Sequence, residues 1–402
     1  MAREILLDVT RLVWRTWRGR HPTGIDRVCL AYVEHFRGRA LGVVQREGFK
    51  LVLTQAQSDR LFNLFLRGGR ISKLELAAAL ARVIFTAKRA PPRSGMPYLN
   101  VGHTGLNDPS LSDWILKNQL RAVYLIHDLI PITNPEYCRP GEREKHRQRM
   151  EFALKSATGI IANSQATLTE LEDFSAEVGL AMPRGIVALI SGYERQGDAK
   201  PAVLDRPYFV VVGTIEARKN HLLLLEIWQR LVSRLGDSAP LLVIAGQRGW
   251  EAEDATTILD RPGKLHGAVF EAGDCDDQGL ADLIAGARAL LMPSFAEGFG
   301  LPITEALSFG TPVIASDLPV FREIAGDIPL YLDPLDSSAW EAEVEAFGAD
   351  SPERLRQLSR MKDYRAPTWA EHFNMLESWL KTVHRTDGDN SGSVDFQLET
   401  TA

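Results

Sequence analysis

At 402 residues, with 45% hydrophobic and 24% charged residues, the chain has the composition of a globular protein of about two to three domains. No apolar run reaches the roughly 18 to 20 residues that a membrane-spanning helix requires. The opening MAREILLDVTRLVWR lacks signal-peptide architecture, and Cys29, Cys138 and Cys275 are too few and too scattered for a disulfide framework or zinc set. A cytoplasmic location is the expectation.

The net charge of −6 divides unevenly. Residues 1–200 carry 29 Lys and Arg against 20 Asp and Glu, and the remainder 17 against 32. A basic first half suits an anionic membrane surface or a pyrophosphate-linked lipid, with independent drift of two domains as the alternative. Nucleic acid is disfavoured, because no recognition motif accompanies the charge.

In chain order, Ile5–Val9 reads as a first strand. Arg11–Thr23 is polar and basic around Trp14 and Trp17 and is expected to lead as a loop through Pro22 and Thr23 to Gly24. A helix follows from about Ile25 to Phe36, with Val28, Tyr32 and Phe36 at helical spacing. Leu41–Gln45 and Phe49–Thr54 suggest a hairpin, and Leu74–Phe85 a helix. Strands are predicted at Tyr98–Val101, Ala122–Ile126, Gly159–Ala162 and Ile186–Ile190, with Ser164 capping a helix to about Ala176. After a polar linker the pattern restarts with strands at Tyr208–Val212, Leu241–Ala245, Ala268–Ala272, Ala289–Met292, Pro312–Ala315 and Pro329–Leu332. This alternation predicts two α/β Rossmann-like domains facing each other across a cleft. The divisions are residues 1–195, a linker 196–206, and residues 207–366. An amphipathic helix within 367–384 and a polar tail at 385–402, expected to be disordered, complete the chain.

The informative stretch is Ala289–Ala315, ALLMPSFAEGFGLPITEALSFGTPVIA. It reads as strand, glycine-punctuated turn, helix and strand, with Pro302 in the helix's first turn and Gly310 at its exit. The turn offers free backbone N–H groups at a helix N-terminus, a natural anion site. Glu297 and Glu305 stand eight positions apart around it. A ligand carrying both phosphate and hydroxyls, such as a nucleotide sugar, satisfies both features. Upstream, Gly213–Asn220 joins a strand to a helix and presents Thr214, Arg218 and Lys219. Arg as a bidentate fork and Lys as a point charge can together hold a diphosphate.

The E-x7-E spacing with its internal GFGLP resembles the donor motif of family 4 retaining glycosyltransferases, and the likeness extends over Tyr208–Pro334. The resemblance implies the GT-B fold, with a C-terminal helix crossing back to the N-terminal domain. It implies a nucleotide diphosphate sugar (GDP-, UDP- or dTDP-hexose) as co-substrate, no cofactor and no metal. On this reading Glu305 takes the ribose, Glu297 the transferred sugar, and Gly298, Phe299, Gly300 and Leu301 the phosphate or sugar oxygens. Lys219 and Arg218 stabilise the departing diphosphate, and Gly24 lies in the opposing loop, where the family has more glycines. His127 is expected to bond the donor sugar or orient the acceptor, with Asp128 orienting His127 or its loop.

His103 is a second candidate on the acceptor side. Trp14 and Trp17 are open between a membrane anchor, an acceptor-stacking site and packing. The D-x-D of Asp274–Asp276, followed by Asp277, reads as helix capping rather than metal binding. The expected function is retaining transfer of a hexose to a saccharide or polyprenyl-linked acceptor in cell-surface polysaccharide assembly, at the inner membrane face. The alternatives are a nucleotide-sugar epimerase or hydrolase, and a non-catalytic sugar-binding protein.

Overall fold

The computed structural model describes residues 3–19, 24–46, 48–67, 71–85, 91–192, 199–273 and 275–383. Thr23, Asp274, the first part of the expected linker and the 385–402 tail lie outside them. Seven strands build the first sheet: β1 (Ile5–Asp8), β2 (Ala40–Arg46), β3 (Phe49–Val52), β4 (Pro97–Asn100), β5 (Arg121–Ile126), β6 (Gly159–Ala162) and β7 (Arg184–Val187). Their order is β3-β2-β1-β4-β5-β6-β7, and only the expected β2–β3 hairpin is antiparallel. Six strands build the second: β8 (Tyr208–Val212), β9 (Leu241–Ala245), β10 (Val269–Glu271), β11 (Leu290–Met292), β12 (Val313–Ser316) and β13 (Leu330–Leu332). They are parallel throughout, in the order β10-β9-β8-β11-β12-β13.

Helices cover both faces of each sheet, so the central strands are apolar runs rather than alternating ones. All five residues of β8, Tyr-Phe-Val-Val-Val, are buried. In both sheets the strand order reverses at one place, between β1 and β4 and between β8 and β11. Such reversals leave a crevice at the strands' carboxyl ends.

Two departures from the sequence reading stand out, the first with a clear cause. Residues Thr10–Trp17 form a helix, not a loop. Its basic character comes from Arg11 and Arg15, one turn apart, which both pair with buried Asp26 at 2.7 and 2.9 Å, while Leu12 and Val13 are buried. The strand expected at Ile186–Ile190 begins two residues earlier, at Arg184. A further helix, Gln55–Leu66, is started by a reciprocal capping box between Thr54 and Gln57.

The C-terminal helix, Trp369–Leu380, opens on a second capping box, Thr368 with Glu371, and packs on the first domain. Phe373 stacks on His35 with ring centroids 3.9 Å apart, and Glu377 binds His35 and Arg39. A buried relay ties the parts together. His372 Nδ1 donates to the carbonyls of Ala188 and Leu189 at 3.1 and 3.2 Å, which leaves Nε2 to accept from Tyr32 Oη at 2.8 Å. Burial holds His372 down at about 4, so it stays neutral and the relay persists at physiological pH. No helix among the described residues is long and apolar enough to cross a membrane.

Leu376, fully buried at the centre of this contact, provides the test of the crossover. Leu376→Ala is expected to lower unfolding free energy by about 2–5 kcal/mol, measured by urea denaturation. A loss within about 0.5 kcal/mol, the ordinary surface range, would show that the helix contributes no core.

Candidate active site in the interdomain cleft

The reversal between β8 and β11 brings two loops together that are 80 residues apart. Gly213–Asn220 follows β8, and Ser294–Gly300 follows β11. A backbone bond from Phe295 N to Arg218 O, 2.8 Å, pins one to the other. At the junction Glu297 receives Lys219 Nζ at 2.5 Å, Arg218 Nη1 at 2.7 Å and Ser294 Oγ at 2.7 Å. Arg218 also binds Glu216 at 2.7 Å and the Ala296 carbonyl at 3.0 Å. Glu216, Lys219 and Glu297 are nearly inaccessible to water. Burial pushes the Glu297 carboxyl up, but Arg218 and Lys219 overcome it and hold the group at about 2. Burial lowers Lys219 while Glu297 opposes it. Two cations are thus fixed, in a dry site, by one shared anion, with Glu216 as a second partner of Arg218.

Gly300 initiates the Leu301–Ser308 helix at φ 104°, a conformation that suits glycine, and Pro302 stands in its first turn. Glu305 is buried on that helix. A cavity of about 630 Å³ opens beside these loops at the carboxyl ends of β9 and β10. Gly246, Gln247, Arg248, Glu271, Gly273 and Cys275 line it. Arg248 is locked bidentate onto Glu271 at 2.8 and 2.9 Å.

Across the cleft the first domain supplies a histidine cluster. His127 follows β5 and is buried; its Nε2 donates to the Val101 carbonyl at 2.8 Å. His103, at φ 58°, donates through Nε2 to Leu125 O at 2.8 Å, with its ring centroid 5.1 Å from that of His127. His146 donates to Asp128 O at 3.1 Å, its ring 6.1 Å from that of His103. Carbonyls only accept, so each Nε2 carries the proton and each Nδ1 is left as an acceptor. Burial lowers all three, His127 to about 4, and keeps them neutral. Glu170 behind them is raised to about 7 by burial and by Asp128.

The two halves touch. A Cβ at Gly298 would lie 2.5 Å from the His127 carbonyl oxygen, so only glycine permits this approach. Glu323 of the second domain accepts from the N–H groups of Gln165 and Ala166, at 2.6 and 3.1 Å, at the start of a first-domain helix. Tyr137 stacks on Phe295, centroids 4.9 Å apart at 3°, and Arg139 lies over Trp250 at 4.8 Å. Arg27 of the Gly24–Phe36 helix reaches over to Glu305 and Asp277.

Of the residues singled out from sequence, Arg218, Lys219 and Glu297 form one network, Gly298 packs against His127 and Asp128, His103 lies beside His127, and Phe299, Gly300, Leu301 and Glu305 belong to the turn and helix that follow; none of them lines the cavity at β9 and β10. Gly24 begins the helix that carries Arg27, and a Cβ there would lie 3.7 Å from Leu301. Thr214 sits on the β8 loop, close to Gly249. Asp128 does not orient the His127 ring: its Oδ1 accepts from Ile130 N at 3.3 Å, and Val101 holds the ring instead. Trp14 packs beside Arg46 at 4.8 Å, whereas Trp17 is 41% exposed. Asp276 caps the Asp277–Gly286 helix by accepting from Gly279 N at 2.8 Å.

Three residues escaped the sequence reading. Arg27 and His146 reach the site through tertiary contacts alone. His221 is 2% exposed, and neither ring nitrogen has a hydrogen-bond partner among the described residues. Burial, with Lys219 and Arg218 nearby, lowers it to about 3. Its place directly after Lys219 and Asn220 was the available signal.

Residues 194–363 match the family model of Glycosyl transferases group 1. The O-antigen chain mannosyltransferase B of Escherichia coli is 33% identical over 232 residues, 56% of this chain and 60% of its own length. The O-antigen chain mannosyltransferase RfbU of Salmonella typhimurium is 31% identical over 178 residues, 43% and 46% of the two chains. The alignments thus span 60% or less of these relatives. Anabaena Alr3699/HepE, solved in complex with UDP-glucose, superposes with a TM-score of 0.64 at 16% identity over 94% of this chain and 99% of that one. At that identity the likeness is one of fold, and the fold is GT-B.

The carboxylate at the centre of the network predicts a pH signature. Glu297 is held below its usual 4.5 in the folded state, so its stabilisation is complete above about pH 4.5 and is lost as pH falls toward 2. Glu297→Gln leaves buried Lys219 without its carboxylate and Arg218 with Glu216 alone, and is expected to cost about 3–5 kcal/mol at neutral pH. Chemical denaturation at stepped pH should show that gap narrowing as pH drops below 4.5. A gap independent of pH would remove Glu297 from the role given to it.

Proposed function

We propose that this chain, whose residues 194–363 match the family model of group 1 glycosyl transferases, moves a hexose from a nucleotide diphosphate sugar to a saccharide or lipid-linked saccharide acceptor, with retention at the anomeric carbon. The observation that carries the reading is the Arg218–Lys219–Glu297 network set against the N-terminus of the Leu301–Ser308 helix. Negative charge grows on the diphosphate as the sugar leaves. Fixed cations and helix N–H groups in a dry site stabilise that charge without reorganising. The arginine and lysine supply the charge that a divalent ion would otherwise bring, so the reaction runs without metal.

The remaining roles follow from chemistry. Glu305 accepts from the ribose hydroxyls. Glu297, already fixed by two cations and Ser294, accepts from a hydroxyl of the transferred sugar. Neutral His127, with Nε2–H committed to Val101, offers Nδ1 as an acceptor to a sugar hydroxyl, and His103 extends the polar wall toward the acceptor. With both faces of the sugar so held, the acceptor oxygen enters on the side from which the diphosphate departs, and a phosphate oxygen takes its proton.

The names of the relatives favour mannose as the hexose and an O-antigen-like polysaccharide as the product. The neighbour solved with UDP-glucose keeps other nucleotide sugars in the screen. The basic character of residues 1–200 fits an anionic lipid carrier at the inner face of the membrane.

The test is incubation with GDP-mannose, UDP-glucose and dTDP-hexoses, with and without a saccharide primer, followed by anomeric analysis of the product. Primer-dependent transfer giving the donor's anomeric configuration is expected, undiminished by EDTA. Equal turnover without primer, or an inverted product, would overturn the reading. Lys219→Ala is expected to lower kcat by about 100-fold or more, and Glu305→Ala to raise the nucleotide Kd by about tenfold.

A further inference from the structure

Arg27 belongs to the first domain, yet both of its acidic partners belong to the second. Its Nη1 lies 3.3 Å from Glu305 Oε1, and its Nη2 binds the Asp277 carboxylate. A charge-assisted bond ordinarily closes to about 2.7–2.9 Å. The Glu305 link is therefore loose, unlike the 2.5 and 2.7 Å bonds that hold Lys219 and Arg218. Glu305 is also the carboxylate that the proposed donor's ribose needs. A nucleotide entering the cleft competes with Arg27 for that group.

What surrounds the guanidinium indicates where it goes. The Gly24–Phe36 helix starts against the start of the Leu301–Ser308 helix, with Gly24 facing Leu301. Two helix N-termini brought close together concentrate partial positive charge, which favours an anion beside them. Arg27 stands one turn into the first of these helices, and the second helix belongs to the domain that carries Lys219 and Arg218.

We infer that Arg27 is a donor-binding residue supplied from the opposite domain, which exchanges Glu305 for the donor's diphosphate when the ribose takes that carboxylate. This rests on the proposed donor site and adds to it a specific consequence. Diphosphate recognition is shared by both domains, so binding the nucleotide fastens the cleft. Arg27 is one-third exposed at its side chain, so its replacement leaves the core untouched, and the Glu323 and Thr167 contacts between the domains remain.

The experiment is calorimetric titration of wild type, Arg27→Met and Arg27→Lys with GDP, UDP and the matching nucleosides, with the thermal midpoint recorded for each. Arg27→Met is expected to weaken the preferred nucleoside diphosphate by about tenfold or more, the loss of one charge-assisted bond. Nucleoside affinity should stay within about twofold, and Arg27→Lys should recover part of the loss. Diphosphate affinity that is unchanged or improved in Arg27→Met would overturn the inference and leave Arg27 as a latch only. A parallel fall in nucleoside and diphosphate affinity would overturn it as well. Wild type that binds no nucleotide would overturn the donor site itself, and this inference with it.

Discussion

One buried carboxylate organises the second domain's half of the cleft. Arg218 and Lys219 are adjacent in sequence and would repel each other if left alone in a dry site. Glu297 lies between them at 2.5 and 2.7 Å and turns that repulsion into a fixed pair of cations. The cost of burying four charges is met only because each has a partner, Glu216 included, and further hydrogen bonds come from Ser294 and the Ala296 carbonyl. Such an arrangement adds little to stability compared with an apolar core. It holds positive charge in place before any ligand arrives, which is the requirement for stabilising a leaving diphosphate.

Topology explains why these residues meet. A parallel sheet whose strand order reverses leaves its crevice at the reversal, and the β8 and β11 loops flank it in the second domain. The first domain repeats the device with β1 and β4, and its histidines gather at the ends of β4 and β5. The three histidines are neutral and tautomerically fixed by backbone carbonyls. One side of this junction is therefore a buried ion-pair network and the other a cluster of neutral imidazoles. Gly298 lets the walls come into contact, and the C-terminal helix, clamped by the Tyr32–His372 relay, ties the far end of the chain to the first domain.

Much of this was legible in the sequence, for physical reasons. Strands buried on both faces appear as short apolar runs, and Tyr208–Val212, Leu241–Ala245 and Gly159–Ala162 are found where the runs lie. Ser164 and Thr368 announce their helices by capping chemistry. The turn that opens the Leu301–Ser308 helix is written locally, in the glycines around Phe299. The errors share another origin. Arg11 and Arg15 read as loop because their partner, Asp26, lies on the next helix. Asp128, expected to orient His127 or its loop, holds the loop, through Ile130 N, while a carbonyl at the end of an adjacent strand holds the ring. Arg27, His146 and His221 have their significance only through residues distant in sequence, which no spacing rule encodes.

The most direct measurement of the central claim is a crystal structure of the chain with a bound nucleoside diphosphate. The account predicts the ribose on Glu305, and the phosphates between the N–H groups at Gly300 and Leu301 and the side chains of Lys219 and Arg218. A diphosphate bound away from the Leu301–Ser308 helix, or with Lys219 and Arg218 both out of reach of it, would contradict the account.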